Sequence, residues 1–320
     1  MQVTPRAMMS SEGVRVSKRV GLVGVGAMGK LMAGQLLEKG FTVTVCPHRN
    51  RKPVEELAAQ GAQVAEDPAG VAAVSEVVVT MVPDAPQVEE VCFGPRGLLA
   101  GRKEGDPFTL IDMSTISPIA TTAIAARLAE QGVGMLDAPV SGGPARAAIG
   151  ELTIMVGGEP ELFERHRDVL AAMGKNITHV GPVGHGEIAK LTNNIIIGIL
   201  MPALGEAFTF AVKAGADLEK VREIVLTATG GNYLLANWIP QYMLQDKYEG
   251  GFALELMHKD LGAALAAARD LGVPMPEAAL AQQLFAQAKG LGYGREDYSA
   301  VSKITQDAAN ITIATGKPRR

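Results

Sequence analysis

Arg19-Val20-Gly21-Leu22-Val23-Gly24-Val25-Gly26-Ala27-Met28-Gly29 is the stretch on which the reading of the fold turns. The apolar run 20–25 predicts a buried strand, and residues 28–39 predict a helix. Between them Gly24, Gly26 and Gly29 form a G-x-G-x-x-G that leaves the strand and opens the helix, the context this motif requires. The first glycine makes the tight turn. The second lets a pyrophosphate approach the backbone, and the third lets helix and strand pack closely. The helix N-terminus adds free N–H groups and a positive dipole end. The pattern predicts a dinucleotide site on Gly24, Gly26, Ala27, Met28 and Gly29. The bland alternative is a glycine-rich structural turn.

Outward from this unit, strand and helix signals alternate. Strands are predicted over 42–46, 76–81, 108–112 and 134–137, with helices over 54–60 and 118–131. Runs that are apolar throughout, separated by helices, indicate a parallel sheet covered on both faces. Residues 152–156 and 176–180, flanking a helix over 161–173, add a βαβ-like element. At Gly181-Pro182-Val183-Gly184 the strand signals stop, and helices are predicted over 187–214, 218–228, 256–271, 277–289 and 299–309. The expected organisation is a loose leader over 1–17, a nucleotide-binding domain over 18–182 and an all-helical domain over 183–320. A long helix opens the second domain, and a basic tail over 316–320 is expected to fray.

Composition narrows the function classes. A chain of 320 residues exceeds one ordinary core, which favours two domains. Its net charge of −4 and aromatic fraction of 4% give no footprint for nucleic acid or an anionic membrane. The two cysteines, Cys46 and Cys92, make no disulfide framework and fit a reducing cytoplasm. The start of the chain lacks the apolar stretch of a signal peptide. The most apolar region, 195–212, approaches the length of a membrane span. It contains Gly198, Pro202, Gly205 and Glu206, which suits a helix inside a protein core better than a bilayer. The five histidines, His48, His166, His179, His185 and His258, show no metal-binding spacing, so no metal is expected.

Chemistry gathers at a few positions. Lys190 is the lone charge in Ile188-Ala189-Lys190-Leu191-Thr192-Asn193-Asn194, just before the apolar run. Desolvation lowers a lysine's pKa and fits it for proton transfer near neutral pH. Asn194 lies four residues on, above Lys190 on the same helix face. The plain alternative is a lysine whose stem is buried and whose head reaches water. An NAD enzyme places an acid about 20 residues after the glycines. None occurs from 40 to 54, where the chain offers Cys46-Pro47-His48-Arg49-Asn50-Arg51-Lys52. That cluster favours a 2′-phosphate held by Arg49 and Arg51, hence NADP over NAD. Val82 and Pro83, which follow the run 76–81, join the cofactor-binding set. Asp112-Met113-Ser114-Thr115-Ile116-Ser117-Pro118 and Asp137-Ala138-Pro139-Val140-Ser141-Gly142-Gly143-Pro144 follow strands at the sheet's carboxyl edge, where such folds bind ligands. Ser141 with the bare backbone of Gly142 and Gly143 could hold a carboxylate. With Pro139 two residues before Ser141, it is no nucleophile elbow.

In these motifs the chain resembles the β-hydroxyacid dehydrogenase family over roughly residues 19–309. The match runs through Gly24 to Gly29, the 112–118 stretch, Ser141-Gly142-Gly143, and Gly184-His185-Gly186-Glu187-Ile188-Ala189-Lys190 leading into Asn193-Asn194. Lys259-Asp260-Leu261 adds a weaker one. The resemblance implies a Rossmann-type doubly wound sheet, a helical second domain, and a homodimer or homotetramer built through the helical half. It implies that Lys190 is catalytic, with Asn194 orienting it, and that Ser141, Gly142, Gly143 and Asn194 hold a carboxylate-bearing substrate. It places Thr115 and Lys259 near the nicotinamide end of the cofactor. Two stretches depart from the familiar pattern, the turn 48–51 and the Pro144-Ala145-Arg146-Ala147 segment beside the substrate positions.

The expected activity is an NAD(P)-dependent interconversion of a small 3-hydroxy acid and its semialdehyde or keto form. The favoured cases are 2-hydroxy-3-oxopropionate reductase and 3-hydroxyisobutyrate dehydrogenase. Rival readings are a reductase of succinate semialdehyde, threonate-type or imine substrates, and a nucleotide-binding scaffold without activity. Retention of Lys190 weighs against the imine and scaffold readings.

Overall fold

The valine-rich runs of the N-terminal half lie side by side as parallel strands. The computed structural model describes residues 18–103 and 105–318. The leader expected over 1–17 lies outside them. In chain order the first half contains β1 (Arg19–Val23), α1 (Gly29–Glu38), β2 (Thr42–Val45), α2 (Lys52–Ala58), β3 (Gln63–Val64), α3 (Pro68–Val74), β4 (Val77–Thr80), α4 (Ala85–Phe93) and α5 (Leu98–Gly101). It continues with β5 (Thr109–Asp112), α6 (Pro118–Ala129), β6 (Gly134–Asp137), β7 (Val140–Ser141), α7 (Gly143–Ala147), β8 (Leu152–Gly157), α8 (Pro160–Met173) and β9 (Gly174–Gly181).

The strands form one sheet in the order β3-β2-β1-β4-β5-β6-β8-β7, with β9 paired to β8. From β3 to β6 every pairing is parallel. The chain order reverses between β1 and β4, which opens a crevice at the carboxyl ends of these strands. Helices close both faces, so Val77, Val78 and Val79 are all buried and the run shows no alternation. Met32 and Leu36 of α1 and Phe163 and Leu170 of α8 belong to one core. Val71, Val88, Leu98 and Ile124 belong to the core on the other face.

The sheet also has an antiparallel part, which the sequence did not indicate. β8 runs antiparallel to β6, and β7 runs antiparallel to β8. Apolar runs report burial, and they carry no record of strand direction. The βαβ element expected after residue 152 is present as β8-α8-β9, with parallel pairing.

After β9 the structure is helical apart from loops and a bridge between Ala253 and Asp297. It contains α9 (His185–Lys213), α10 (Leu218–Thr227), α11 (Leu254–Asp270), α12 (Pro276–Ala288) and α13 (Lys303–Ala308). The single helix expected over 299–309 is instead a 3₁₀ turn at Tyr298–Ser302 followed by α13. Asp297 accounts for the tight start, since its carboxylate accepts the Ser299 N–H and hydroxyl. Among the described residues α9 is the one helix long and apolar enough to cross a membrane. It instead packs on α11, α12 and α13 and contributes Met201, Leu204 and Phe208 to the helical core.

The start of α9 is fixed by the sheet. Its N-cap residue Gly184 has left-handed φ and supplies no side-chain cap. Asp137, at the end of β6, takes that role: its Oδ1 accepts the Gly184 N–H at 2.8 Å and its Oδ2 accepts the Glu187 N–H at 3.0 Å. Gly186 allows this approach, because a Cβ there would lie 2.5 Å from the Met155 carbonyl oxygen. The first turn of α9, and with it Lys190, is thereby set against the carboxyl edge of the sheet.

Candidate active site

The glycine turn has the shape a dinucleotide needs. Gly24 has φ +102°, and a Cβ on it would sit 2.2 Å from the Met81 carbonyl oxygen. A Cβ on Gly29 would sit 2.1 Å from the Gly24 carbonyl oxygen. At Gly26 nothing lies within 4 Å, and the residue is exposed. Two glycines thus close the turn, and the middle one leaves its backbone bare. That bare backbone, with exposed Ala27 and half-buried Met28 opening α1, is the cradle a pyrophosphate would fill. Arg49 and Arg51 follow β2, next to β1 in the sheet, and both are exposed. Asn50 Oδ1 accepts the Lys52 N–H at 3.1 Å and shapes the turn that presents them.

The other end of the crevice is built from the loops after β4 and β5. Val82 N–H donates to Ser114 Oγ at 3.0 Å, tying the two loops together. Lys259 reaches them from α11: its ammonium donates to the carbonyl of Pro83 at 2.9 Å and to that of Thr115. Val82, Pro83, Thr115 and Lys259 therefore meet in one place. In the sequence Lys259 stood out only through the resemblance carried by Lys259-Asp260-Leu261. In the structure it latches the helical half onto the sheet's carboxyl edge.

Lys190 and Asn194 are both buried on one face of α9, with Lys190 8% exposed. Asn194 Nδ2 donates to Asp260 Oδ2 at 2.6 Å, and Asp260 Oδ1 pairs with Lys259 at 3.1 Å. Burial pulls the Lys190 pKa below its ordinary value. Asp260 and then Glu187 pull it back up, and Lys259 pushes it down. Burial likewise raises the carboxyls of Asp260, Asp112, Asp137 and Glu187, the last of them strongly. Asn194, Asp260 and Lys259 form one connected group, and its charges act on the buried Lys190.

Ser141 ends β7, and Gly142 and Gly143 lead into α7. Gly142 has φ +131°, and the stem of Arg146 folds over it, with Cβ and Cδ 2.9 Å from where a Cβ would lie. This segment leaves the same strand end as Asp137, which holds α9. Arg49 and Arg51 stand apart from the Lys190 group, across β1, as the two ends of a long cofactor would.

Sequence reasoning gave no role to Asp137, Glu187, Ser114 or Asp260. Asp260 carried a signal, its place beside Lys259 in the Lys-Asp-Leu motif. The roles of Asp137 and Ser114 arise from contacts across the fold, which spacing along the chain does not show.

Comparison with known proteins gives the family of the chain. Residues 19–181 match the family described as the NAD binding domain of 6-phosphogluconate dehydrogenase. Residues 184–305 match that described as NAD-binding of NADP-dependent 3-hydroxyisobutyrate dehydrogenase. The chain is 40% identical to 2-(hydroxymethyl)glutarate dehydrogenase of Eubacterium barkeri, over 94% of this chain and 99% of that one. It is 41% identical to 3-hydroxyisobutyrate dehydrogenase of Pseudomonas aeruginosa, over 89% and 97%. Among solved structures, 3-hydroxyisobutyrate dehydrogenase of Mycobacterium tuberculosis with L-serine superposes with a TM-score of 0.82 at 30% identity, covering 91% and 99%.

Proposed function

The chain belongs to the β-hydroxyacid dehydrogenase family and is an NAD(P)-dependent oxidoreductase of small hydroxy acids and their semialdehydes; on that premise we propose that Lys190 is its acid–base group. The observation that carries the assignment is a buried lysine that feels the charge of Asp260, itself bonded to Asn194 and paired with Lys259, at the edge where the sheet binds ligands.

The nicotinamide, when bound, supplies the hydride for the carbonyl carbon or accepts it from the alcohol carbon. As that carbon is reduced, the carbonyl π electrons move onto oxygen, and Lys190 gives its proton to the developing alkoxide. In oxidation the free amine takes the hydroxyl proton. Burial weakens the amine's hold on its proton, which favours giving it up to the alkoxide. Asn194 orients the lysine and the substrate through its bond to Asp260. Ser141 and the Gly142–Gly143 backbone hold the substrate carboxylate. Lys259, Thr115, Val82 and Pro83 wall the nicotinamide side, and holding both reactants in one geometry lowers the barrier.

The finer reading is 2-hydroxy-3-oxopropionate reductase or 3-hydroxyisobutyrate dehydrogenase, small-carboxylate chemistry of the kind named for the matched relatives. NADP is the favoured cofactor, because exposed Arg49 and Arg51 occupy the turn that lacks an acid. A homodimer or homotetramer is supported by Ile196, Phe210 and Leu280, large apolar residues left exposed on the helical half. A cytoplasmic location is supported by the two buried, unpaired thiols, with burial pushing that of Cys46 up to about 12.

The test is NADPH and NADH oxidation by wild type and Lys190→Ala against a panel of small semialdehydes. Wild type is expected to turn over at least one, faster with NADPH. Lys190→Ala is expected to lose at least about a hundredfold in kcat while binding cofactor as before. A variant as active as wild type would remove Lys190 from the mechanism.

A further inference from the structure

Glu187 is a buried acid for which the proposed reaction has no use. It lies in the first turn of α9, 0% exposed, and neither carboxyl oxygen has a hydrogen-bond partner. The Ile116 N–H favours its charge without completing a bond. Its backbone is fixed by the bond to Asp137, and Lys190 follows three residues on, where helix geometry brings side chains to one face.

Neighbouring acids are better served. Asp137 accepts the Gly184 and Glu187 N–H groups. Asp112 accepts the Thr80 hydroxyl at 2.7 Å and the Ser114 N–H at 3.1 Å. Asp260 has the Asn194 amide and the Lys259 ammonium. With all of these ionised beside Glu187, the buried cluster would carry more carboxylates than ammonium groups. Such an excess is expensive away from water, so the carboxyl with fewest donors is the last of the four to ionise as pH rises.

We propose that Glu187 is a positioning residue of the reaction, acting through its charge on Lys190 to set the pH range over which that lysine is an ammonium. The inference rests on Lys190 being the acid–base group. With Glu187 neutral, burial dominates at Lys190 and its proton leaves readily. Once Glu187 ionises, its charge helps Lys190 keep the proton, so the two titrate as a coupled pair. The other groups facing Lys190 are Asp260 and Lys259 of α11. Those facing Glu187 are Asp112 of β5, Asp137 of β6 and Asp260 of α11.

The experiment is the pH dependence of kcat/KM for semialdehyde reduction in wild type, Glu187→Gln and Glu187→Asp, each normalised to its acid plateau. Reduction needs the ammonium form and fails as pH rises through the lysine's pKa. Glu187→Gln removes the charge that raises that pKa, so its alkaline limb is expected about one pH unit below that of wild type. Glu187→Asp keeps the charge, and its limb is expected to stay close to that of wild type. Glu187→Met is the second neutral variant and reads the same shift if Gln does not fold. A neutral variant whose limb superimposes on wild type overturns the inference, as does an Asp variant shifted as far as Gln. If Lys190→Ala retains activity, the lysine assignment itself has failed. If Lys190→Ala is inactive and Glu187→Gln titrates as wild type, only the role of Glu187 is lost.

Discussion

An amine with little access to water takes its proton affinity from the charges packed around it. At Lys190 the strongest of these is Asp260, and Asn194 acts on Asp260 by donating to its Oδ2. Asn193 Nδ2 donates in turn to Asn194 Oδ1 at 3.0 Å, so the amide is held from both sides and its orientation is set. Asn194→Ala would leave the buried Asp260 with one donor fewer and free the acid that faces both lysines. We expect kcat/KM to fall about tenfold to a hundredfold in both directions, with cofactor affinity unchanged. Steady-state rates with NADPH titrations on the same preparations decide it. A loss confined to cofactor binding would move Asn194 out of the substrate side of the site. Lys190 and Asn194 were legible in sequence because a charge four residues from an amide, in an otherwise apolar helix, stands out. Asp260 lies 66 positions from Asn194, and nothing in the chain's local pattern joins them.

Elements were legible in proportion to their length and burial. β1, β4 and β5 are buried over nearly their whole length and centre on apolar residues, whereas β3 is two exposed residues that no period marks. α3 and α4 went unread although each carries a start signal. Asp67 caps Gly70 ahead of Pro68, and Asp84 caps Ala85 ahead of Pro86. α8 shows a different dependence on its surroundings. Its His166 is 4% exposed, and its Nε2 bonds the Thr109 hydroxyl of β5 at 2.9 Å. Burial pulls its pKa down to about 4 from an ordinary 6.5, with the Lys18 charge adding to the effect. The unfolded chain therefore takes this proton near the ordinary value, and the folded chain refuses it until about 4. Stability from this group is complete above the ordinary value and drains away as pH falls toward about 4, a loss of about 3 kcal/mol. His166→Gln keeps a partner for Thr109 and cannot titrate. Its urea-unfolding stability is expected to gain on that of wild type by roughly that amount as the pH is lowered through this window. Parallel curves for the two proteins would show that His166 does not titrate differently on folding.

Two contacts join the halves of the molecule at the site, Asp137 holding the start of α9 and Lys259 holding the loops after β4 and β5. Buried acids and a buried lysine gather at the crevice, and large apolar side chains stay exposed elsewhere. On the helical half Phe210 is 76% exposed at the far end of α9 from Lys190, and Ile224, Leu280 and Leu271 are also exposed. Single exposed apolar residues are ordinary, but most of the large ones here lie on the helical half, and such a bias favours association. A second copy of the chain is the occupant we favour, and symmetry then buries each residue twice. Phe210→Glu would remove about 2 kcal/mol of apolar burial per protomer and place a carboxylate in the interface. Dissociation is expected to become about a thousandfold easier or more. Light scattering on a concentration series should show wild type as a dimer or larger, and the variant dividing into smaller species at micromolar protein. The variant's circular dichroism should be unchanged, since the residue contributes little to the protomer's own core. A wild-type mass equal to one chain across the series would remove self-association as the reason for the exposed face. Equal masses for variant and wild type would place the contact away from Phe210.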